Sequence, residues 1–467
     1  MNTLPLSLIA HWAGGELHGD DVPVDAITQD TRALAAGSLY VALRGERFDG
    51  HDFAADAQAR GAAALLVERL LPLDLPQVVV ADSERALAMI AAGIQRDRRA
   101  RVVAITGSNG KTSVKTLSLA VLARAGRAYA NPGNRNNEIG LPLAVIDAPE
   151  DAQYAIYEMG AGKPGDIAYL TGIARPQVAL VNNIAAAHLE RMGSLAGVAA
   201  TKGAIYAALG EGGVAVVNAD DAFATWFEQE VIRAAESGRQ VLRFGLEASA
   251  EVTARDIHAE GEGSRFTLVA PGGQVQVQLA LPGRHNVSNA LAAACIGLAC
   301  GLDLGQIAAG LADARPVAGR QVAHALPGNA LLIDDSYNAN PGSVAAAIDG
   351  LAASGDEAWL VLGDMRELGP EARALHADAG ARARGAGLAR LYALGELSAA
   401  AAAAFGEQGR HFNTHQELAQ ALAADLQARA AAGQAPRLRV LVKGSRGSAM
   451  DRIVTALLAH KDQTHVA

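Results

Sequence analysis

The feature that most constrains this chain is a short apolar run followed at once by a glycine-rich turn and a lysine-threonine pair. Residues 102–105 read Val-Val-Ala-Ile and predict a buried strand, and residues 107–110 read Gly-Ser-Asn-Gly. Lys111 and Thr112 then begin a segment with the apolar spacing of a helix. Such an arrangement turns glycine amides and a helix N-terminus toward a phosphate, and it lets lysine reach the outer phosphates and threonine reach Mg²⁺. The stretch therefore predicts a nucleotide-phosphate loop.

This loop is shorter than the general pattern G-x-x-x-x-G-K-[ST], because Ile105 stands where that pattern has its first glycine. The alternative is a chance glycine turn before a helix, and the Lys-Thr pair with its strand and helix flanks argues against it. The residues of the stretch predicted to bind the nucleotide are Gly107, Ser108, Asn109, Gly110, Lys111, Thr112 and Ser113.

Length and charge bound the rest of the interpretation. A chain of 467 residues is too long for one hydrophobic core and indicates about three domains, which we place at 1–100, 101–314 and 315–467. The net charge of −9 excludes a general affinity for nucleic acid or for anionic membranes. The apolar runs are too short to span a bilayer, and the first residues lack a signal peptide's basic region. We therefore expect a cytoplasmic protein without membrane insertion.

Polar residues follow several of the predicted strands. Glu158 follows residues 155–157, Asp335 follows residues 331–333, and Lys443 follows residues 438–442. Because strands alternate with helices, we predict an α/β fold with mostly parallel sheets, whose carboxyl ends bind ligands. Lysine is also rare, with six lysines among 40 basic residues, so a lysine inside a motif is informative.

Three further residues are candidates on their own chemistry. Glu158 could hold Mg²⁺ beside Thr112, and its alternative is a solvated glutamate. A lone His188 is more often a packing or capping residue, and a lone Lys202 is more often a surface lysine. The residues alone leave the last two open.

Taken together and in this order, the segment 107–112, Glu158, His188 and Lys202 resemble the ATP-dependent Mur ligase family, which uses the short G-x-x-G-K-[ST] loop. Five further segments are similar to the branch of that family that joins D-alanyl-D-alanine to UDP-N-acetylmuramoyl-tripeptide; they are residues 39–51, 182–190, 335–341, 363–369 and 442–446. The resemblance therefore covers nearly the whole chain.

The resemblance implies three α/β domains: a small UDP-binding domain, a central P-loop ATPase domain and a C-terminal Rossmann-like ligase domain. It implies ATP, two Mg²⁺ ions and CO₂, the last as a carbamate on Lys202. The implied reaction passes through an acyl phosphate and serves peptidoglycan precursor synthesis. UDP-N-acetylmuramoyl-tripeptide and D-alanyl-D-alanine are the implied partners, and a monomer is expected.

The resemblance also implies residue roles. The catalytic set is Lys111, Glu158, His188 and Lys202, and Thr112 joins the last three as metal ligands. At the nucleotide, Asn286 and Asn289 are expected near adenine, Arg320 at the phosphates and Asp335 at the ribose. The expected substrate-binding residues are Thr31, Arg32, Arg44, Asp49, His51, Asn134, Asn136, Asn137, Asn338, Asn340, Lys443 and Arg446.

The chain departs from the family pattern at two places. Arg191-Met192 stands where the family prefers Gly-Phe, and Ala204 stands where glutamate is common. Another Mur-type or folylpolyglutamate-type ligase is one alternative, against which the segments 335–341 and 363–369 argue. A non-catalytic nucleotide-binding protein is the other, and the presence of every predicted metal ligand argues against it. The sequence leaves open whether the third peptide residue is diaminopimelate or lysine.

Overall fold

The computed structural model of the protein describes residues 1–45, 47–186, 189–432 and 436–464, and the chain forms successive α/β units along its length. In the first unit the strands are β1 (Leu4–Pro5), β2 (Glu16–His18), β3 (Pro23–Val24), β4 (Ala26–Thr28), β5 (Ser38–Val41), β6 (Ala64–Val67) and β7 (Gln77–Val79). Its helices are α1 (Leu6–Ala13), α2 (Ala54–Ala59) and α3 (Ser83–Asp97), with 3₁₀ turns at Thr31–Ala33 and Gly50–Phe53. The main sheet has the order β2-β7-β6-β5-β4.

The first unit differs in detail from the sequence prediction. The pattern of residues 4–12 predicts a helix from residue 4, but Leu4 and Pro5 pair with Val24 and Pro23, and α1 begins only after them. Residues 24–27 are strand-like in sequence and predict one strand, yet the Asp25 backbone N–H donates to the Gly37 carbonyl, and β3 and β4 are separate. Both differences arise because a distant segment supplies the hydrogen-bond partner.

The second unit contains the phosphate loop. Its strands are β8 (Arg101–Thr106), β9 (Ala128–Ala130), β10 (Tyr154–Glu158), β11 (Val178–Val181), β12 (Val214–Asn218), β13 (Gln240–Phe244), β14 (Thr253–Glu260), β15 (Gly263–Ala270) and β16 (Gly273–Leu279). Its helices are α4 (Lys111–Leu122), α5 (Gly140–Asp147), α6 (Asp166–Ala174), α7 (Leu189–Met192), α8 (Leu195–Ala207), α9 (Ala224–Trp226), α10 (Ala234–Ser237), α11 (Arg284–Ala299) and α12 (Leu304–Asp313), with a π-helix at Phe227–Ile232.

The main sheet of this unit is parallel throughout, in the order β13-β12-β11-β8-β10-β9. Because β8 lies between β10 and β11, the order of the strands reverses at β8, and parallel sheets bind ligands at such a point. A separate antiparallel sheet, β14-β15-β16, packs on α11 and α12.

The side chains of β8 alternate between two apolar layers, as the period of a strand requires. Val102 and Ala104 belong to a core that is continuous with the first unit, where α3 packs against α5 and α6. Val103 and Ile105 belong to the opposite core, beneath α4 and α11. Each of these four side chains is almost completely buried, and burying a valine or isoleucine contributes about 1.5–3 kcal/mol. The strand that leads into the loop is therefore fixed from both sides.

The third unit has the strands β17 (Val322–Leu326), β18 (Ala330–Asp335), β19 (Glu357–Gly363), β20 (Arg390–Leu394), β21 (Gly409–Phe412) and β22 (Leu438–Lys443). Its helices are α13 (Pro341–Ala353), α14 (Ala372–Gly385), α15 (Ala399–Phe405), α16 (His415–Ala431) and α17 (Asp451–Thr464). The sheet order is β17-β18-β22-β19-β20-β21, in which β17 is antiparallel and the other strands are parallel.

These sheets confirm the predicted α/β class with mostly parallel strands. The domain boundaries at residues 100 and 314 stay predictions. None of the helices in the described part of the chain combines the length and the apolar character needed to cross a bilayer.

Candidate functional site

The phosphate loop joins the end of β8 to the start of α4. Gly110 precedes the helix with a φ of 77° and has no side chain to cap the first turn, which leaves the amides of that turn available to a ligand. A Cβ atom at Gly110 would lie 2.5 Å from Asn182 Nδ2 and 2.6 Å from Asn289 Oδ1. Glycine is therefore required here by both backbone conformation and space.

Two asparagines beyond β11 hold the loop in place. The backbone N–H of Asn109 donates to Asn183 Oδ1 at 2.8 Å, and Ser108 N–H donates to the Asn183 carbonyl at 2.9 Å. Asn182 Nδ2 donates to the Asn109 carbonyl and to Asn289 Oδ1, each at 3.0 Å. The loop is thus joined to the neighbouring strand and to the predicted adenine residue on α11.

The lysine and the threonine of the motif lie at the head of α4. Lys111 Nζ donates to the Gly107 carbonyl at 2.7 Å. Burial lowers the pKa of Lys111, while the negative charge of Glu158 opposes that shift. Thr112 Oγ1 donates to Glu158 Oε2 at 2.8 Å and accepts from Arg320 Nη2 at 2.8 Å. Arg320 therefore reaches the loop from the start of the third unit.

Glu158 ends β10 and is 3% exposed. Its Oε1 accepts from Asn136 Nδ2 at 2.8 Å, and Lys115 Nζ lies 3.3 Å from its Oε2. Burial raises the pKa of Glu158, but the charges of Lys115 and Lys111 with hydrogen bonds from Thr112 and Asn136 outweigh it and leave the pKa below its ordinary value. The residue is therefore an ionised carboxylate next to a threonine hydroxyl.

This donor set fits Mg²⁺, which prefers oxygen ligands and completes its shell with water and substrate phosphates. His188, the predicted second-metal ligand, lies outside the described residues. Within the described ranges no group of three or more His, Cys, Asp or Glu side chains could by itself hold a metal ion.

Lys202 lies on α8 and is 1% exposed. Burial and the nearby charge of Lys111 lower its pKa to about 7, and Asp166 acts in the opposite direction. A substantial fraction of this amine is therefore neutral near pH 7. A surface lysine, which the residue alone suggested, is excluded.

The third unit forms the opposite wall of a cleft of about 690 Å³. Asn340 Nδ2 donates to Asn109 Oδ1 at 2.6 Å, which connects the start of α13 to the phosphate loop. Lys443 Nζ lies 2.6 Å from Asp335 Oδ2, so the ends of β22 and β18 carry a buried ion pair. The cleft therefore combines basic, acidic and amide groups from two units.

Most predicted residues of these two units line this cleft. Those at its surface are Ser108, Asn109, Gly110, Lys111, Ser113, Asn134, Asn136, Asn137, Glu158, Asn286, Asn289, Arg320, Asp335, Asn338, Asn340 and Lys443. Gly107 and Thr112 are bonded to cleft residues, through the Gly107 carbonyl to Lys111 and through the Thr112 hydroxyl to Glu158. Arg191, at one of the departures from the family pattern, also lines the cleft. Arg446 stands beyond the rim, with its guanidinium 5.8 Å from the ring centre of Tyr337.

The predicted residues of the first unit form a separate group. Asp49 Oδ1 is 2.5 Å from His51 Nδ1, and His51 Nε2 accepts from the Glu68 backbone N–H at 2.9 Å. Arg44 Nε lies 3.2 Å from Glu68 Oε2, and Arg69 Nη1 lies 3.4 Å from Asp49 Oδ2. Since the His51 side chain is completely buried with both ring nitrogens engaged, it orients Asp49 in this structure.

Hydrogen bonds from the His51 backbone and side chain lower the pKa of Asp49 to about 2. Thr31 and Arg32 lie in a separate 3₁₀ turn, where Arg32 Nη2 is 2.7 Å from Asp30 Oδ2. The structure thus joins Arg44, Asp49 and His51 in one cluster, and the substrate roles of all five residues stay predictions.

Several residues at the site were given no role from the sequence. Lys115 contacts Glu158, Asn182 and Asn183 hold the loop, and Tyr337 stacks under Arg320 at 4.3 Å from the guanidinium carbon to the ring centre. A helical spacing of four from Lys111 could have indicated Lys115, and a position after β11 could have indicated the asparagines. No sequence pattern distinguishes Tyr337.

Comparison with known proteins supplies the family. Residues 23–109 match the description "Mur ligase family, catalytic domain", residues 105–297 match "Mur ligase middle domain", and residues 320–446 match "Mur ligase, glutamate ligase domain". The UDP-N-acetylmuramoyl-tripeptide–D-alanyl-D-alanine ligase of Escherichia coli (strain K12) is 45% identical over 98% of this chain and 99% of its own length.

Solved structures agree with these matches. A crystal structure of MurF from Acinetobacter baumannii has a TM-score of 0.92 at 31% identity, and it covers 98% of this chain and 99% of its own. MurF ligase from Thermotoga maritima in complex with ADP has a TM-score of 0.83 at 26% identity, over 94% and 99% of the two chains. The chain thus shares its overall architecture with solved structures over nearly its whole length, and it is a member of the Mur ligase family.

Proposed function

We propose that this protein is an ATP-dependent ligase that joins D-alanyl-D-alanine to the peptide carboxylate of UDP-N-acetylmuramoyl-tripeptide. The observation that carries the proposal is a phosphate loop and an ionised Glu158 at a cleft closed by the third unit, in a chain 45% identical to a ligase of that name. The reaction belongs to peptidoglycan precursor synthesis, and we propose a cytoplasmic monomer.

ATP would lie with its phosphates on the amides of residues 107–113 and its adenine near Asn286 and Asn289. The N-terminus of α4 supplies positive potential to the phosphates. Asp335 lies at the end of β18 and lines the same cleft, and it would bind the ribose. The relative solved with ADP supports a nucleotide at this loop.

Thr112 and Glu158 would hold Mg²⁺, which supplies charge neutralisation between the phosphates and an incoming carboxylate. The basic side chains of the protein would also reduce the repulsion between the phosphates and the carboxylate. Lys111 would move from the Gly107 carbonyl to the outer phosphates, and Arg320 would bind them from the other wall. Such preorganised charge is usually the largest contribution to a reaction between two anions.

In the first step the peptide carboxylate oxygen attacks the γ-phosphorus, and ADP leaves. In the second step the amine of D-alanyl-D-alanine attacks the acyl carbon, and inorganic phosphate leaves with the former carboxylate oxygen. The acyl phosphate between the steps is sensitive to water. Hydrogen bonds between the units, such as Asn340 to Asn109, support a closed cleft that excludes water.

A carbamate on Lys202 is part of the proposal. A neutral amine adds to CO₂, and the product is an anion with two oxygen atoms, which suits a hard cation better than an ammonium does. The near-complete burial of Lys202 and its lowered pKa support this modification. His188 would bind the same second ion.

The UDP-linked substrate would bind at the cluster of the first unit, which contains Arg44, Asp49 and His51. Arg69 pairs with Asp49 in this cluster and would take part as well. Thr31 and Arg32 are proposed to contact the same substrate. Asn134, Asn136 and Asn137 would line the path between this substrate and the nucleotide. The dipeptide or the phosphates would be contacted from the third unit by Asn338, Asn340, Lys443 and Arg446.

The test is phosphate release from ATP with each substrate alone and with both. We expect release only when UDP-N-acetylmuramoyl-tripeptide and D-alanyl-D-alanine are both present. Parallel reactions replace the dipeptide with D-glutamate, or both substrates with a folate and glutamate. Turnover in either of these reactions, without turnover of the proposed pair, would assign the chain to another member of the family.

A further inference from the structure

A second lysine lies beneath the phosphate loop. Lys115 is one helical turn beyond Lys111 on α4, and it is 6% exposed. Its ammonium donates to the Asn131 carbonyl at 2.9 Å and to the Gly133 carbonyl at 3.0 Å, and it lies 3.3 Å from Glu158 Oε2. The ammonium thus combines two hydrogen bonds to backbone carbonyls with an ion pair to a buried carboxylate. The side chain therefore joins the helix to both β10 and the segment that follows β9.

That segment, residues 131–137, is attached to Glu158 at further points. Asn131 Oδ1 accepts from the Glu158 backbone N–H at 2.8 Å, and Asn131 Nδ2 donates to the Glu158 carbonyl at 3.1 Å. Asn136 Nδ2 donates to Glu158 Oε1 at 2.8 Å. The same segment carries Asn134 and Asn137, which line the cleft. One carboxylate thus connects the predicted metal position to the predicted path of the UDP-linked substrate.

Lys115 is at the centre of this network. Without its ammonium, Glu158 would lose the cation paired with it, and the buried Asn131 carbonyl and the partly buried Gly133 carbonyl would lose this donor. An unpaired polar group in the interior is costly. Thr112 and Asn136 would still hold the glutamate. The segment 131–137, in contrast, would lose its attachment to α4, since both carbonyls that Lys115 binds belong to this segment.

We propose that Lys115 is a positioning residue that holds the segment 131–137 against α4, beside Glu158, and thereby orders the side of the cleft that receives the UDP-linked substrate. The inference rests on the proposed function and adds to it a residue that acts through the segment and contacts neither substrate. It separates two ligands that share the cleft: the nucleotide depends on residues 107–113, and the UDP-linked substrate depends on Lys115.

The experiment measures binding without turnover. The dissociation constants of UDP-N-acetylmuramoyl-tripeptide and of ADP are determined by calorimetry, each alone and without Mg²⁺, for the wild type, Lys115→Met and Lys115→Arg. Ser118→Ala is the matched control, because Ser118 is on the same helix, is fully buried, and has a hydroxyl without a partner in the described part of the chain.

We expect Lys115→Met to weaken binding of the UDP-linked substrate at least tenfold and to change ADP binding less than threefold. Lys115→Arg keeps the charge, but its planar guanidinium cannot reproduce both carbonyl hydrogen bonds and the ion pair. It should therefore weaken binding of the UDP-linked substrate less than Lys115→Met does. In steady-state kinetics, KM for the UDP-linked substrate should rise more than KM for ATP. Ser118→Ala should match the wild type in every measurement.

Equal weakening of both ligands, or unchanged binding of the UDP-linked substrate, would overturn the inference. If Lys115→Met does not fold, the same comparison is made with Lys115→Arg. Its loss of affinity for the UDP-linked substrate should then exceed its loss of affinity for ADP. Failure of the proposed function would appear differently, since the wild-type protein itself would then not bind UDP-N-acetylmuramoyl-tripeptide.

Discussion

At the scale of single residues, Lys111 has a local partner that a nucleotide would replace. Its ammonium donates to the Gly107 carbonyl within its own loop, so its removal leaves no distant group without a partner. We predict that Lys111→Ala remains folded and loses about 10²–10³-fold in kcat, the usual cost of one electrostatic contact to a transition state. Phosphate-release kinetics and circular dichroism measure the two properties. Near-normal turnover in a folded variant would show that Lys111 does not act on the phosphates.

Lys202 is the other residue with a specific chemical prediction. Lys202→Ala should be nearly inactive, and acetate or formate should partly restore activity by occupying the vacated space with a carboxylate. Lys202→Arg should show no such rescue, because a guanidinium fills the space and stays positive. A Lys202→Ala enzyme with near wild-type rate and no response to added acids would contradict the carbamate.

The lowered pKa of Lys202 adds a dependence on pH. Only the neutral amine adds to CO₂, and a pKa of about 7 means that protonation removes this form as the pH falls below 7. In buffers stripped of CO₂, we therefore expect activation by added bicarbonate to be strong at pH 8 and weak at pH 6. The measurement is the initial rate with and without bicarbonate at each pH. The Lys202→Arg variant is the control, because it has no vacated space that bicarbonate itself could fill. Equal activation at both pH values would be inconsistent with this pKa.

At the scale of elements, the start of α13 combines a helix cap with a contact between units. Asn340 caps the helix by accepting from the Ser343 backbone N–H, and its Nδ2 donates to Asn109 in the phosphate loop. Asn340→Ala should lower the free energy of unfolding by about 1 kcal/mol, as the loss of a cap does, and should also raise KM for ATP.

Thr414→Ala is the control for this prediction, because Thr414 caps α16 in a similar capping box and does not line the cleft. It should lose similar stability without a change in KM. Denaturant unfolding and steady-state kinetics on both variants separate the two effects. Equal KM values for the two variants would show that the Asn340–Asn109 contact has no part in nucleotide binding.

At the scale of the whole molecule, Arg320 and Tyr337 connect the third unit to the phosphate loop. Arg320 stacks on the Tyr337 ring and donates to Thr112, 208 residues earlier in the chain. A cation–π contact contributes about 0.5–2 kcal/mol. We predict that Tyr337→Ala lowers kcat/KM for ATP about 3–30-fold and that Tyr337→Phe keeps most of it. Equal losses in the two variants would mean that the hydroxyl, not the ring, is what matters.

Many features of the fold and of the phosphate loop follow from short stretches of the sequence. Alternating strand and helix patterns predict the α/β class, and residues 102–113 predict the strand, loop and helix found at β8 and α4. These features are local, because strand period, glycine conformation and helical spacing each act over a few residues. Glu158 was identified in the same way, since it directly follows a predicted strand.

Tertiary structure alone decided which of these pieces meet. β8 lies between β10 and β11, and this order brings Glu158 to Thr112 and Asn183 to Asn109. The start of α1 and the division between β3 and β4 also depended on remote hydrogen-bond partners. Helical spacing places Lys115 one turn beyond Lys111, but its contacts with Glu158 and the segment 131–137 are visible only in the tertiary structure. Burial and pairing depend on strand order and on contacts between distant segments, and no local pattern in the sequence contains that information.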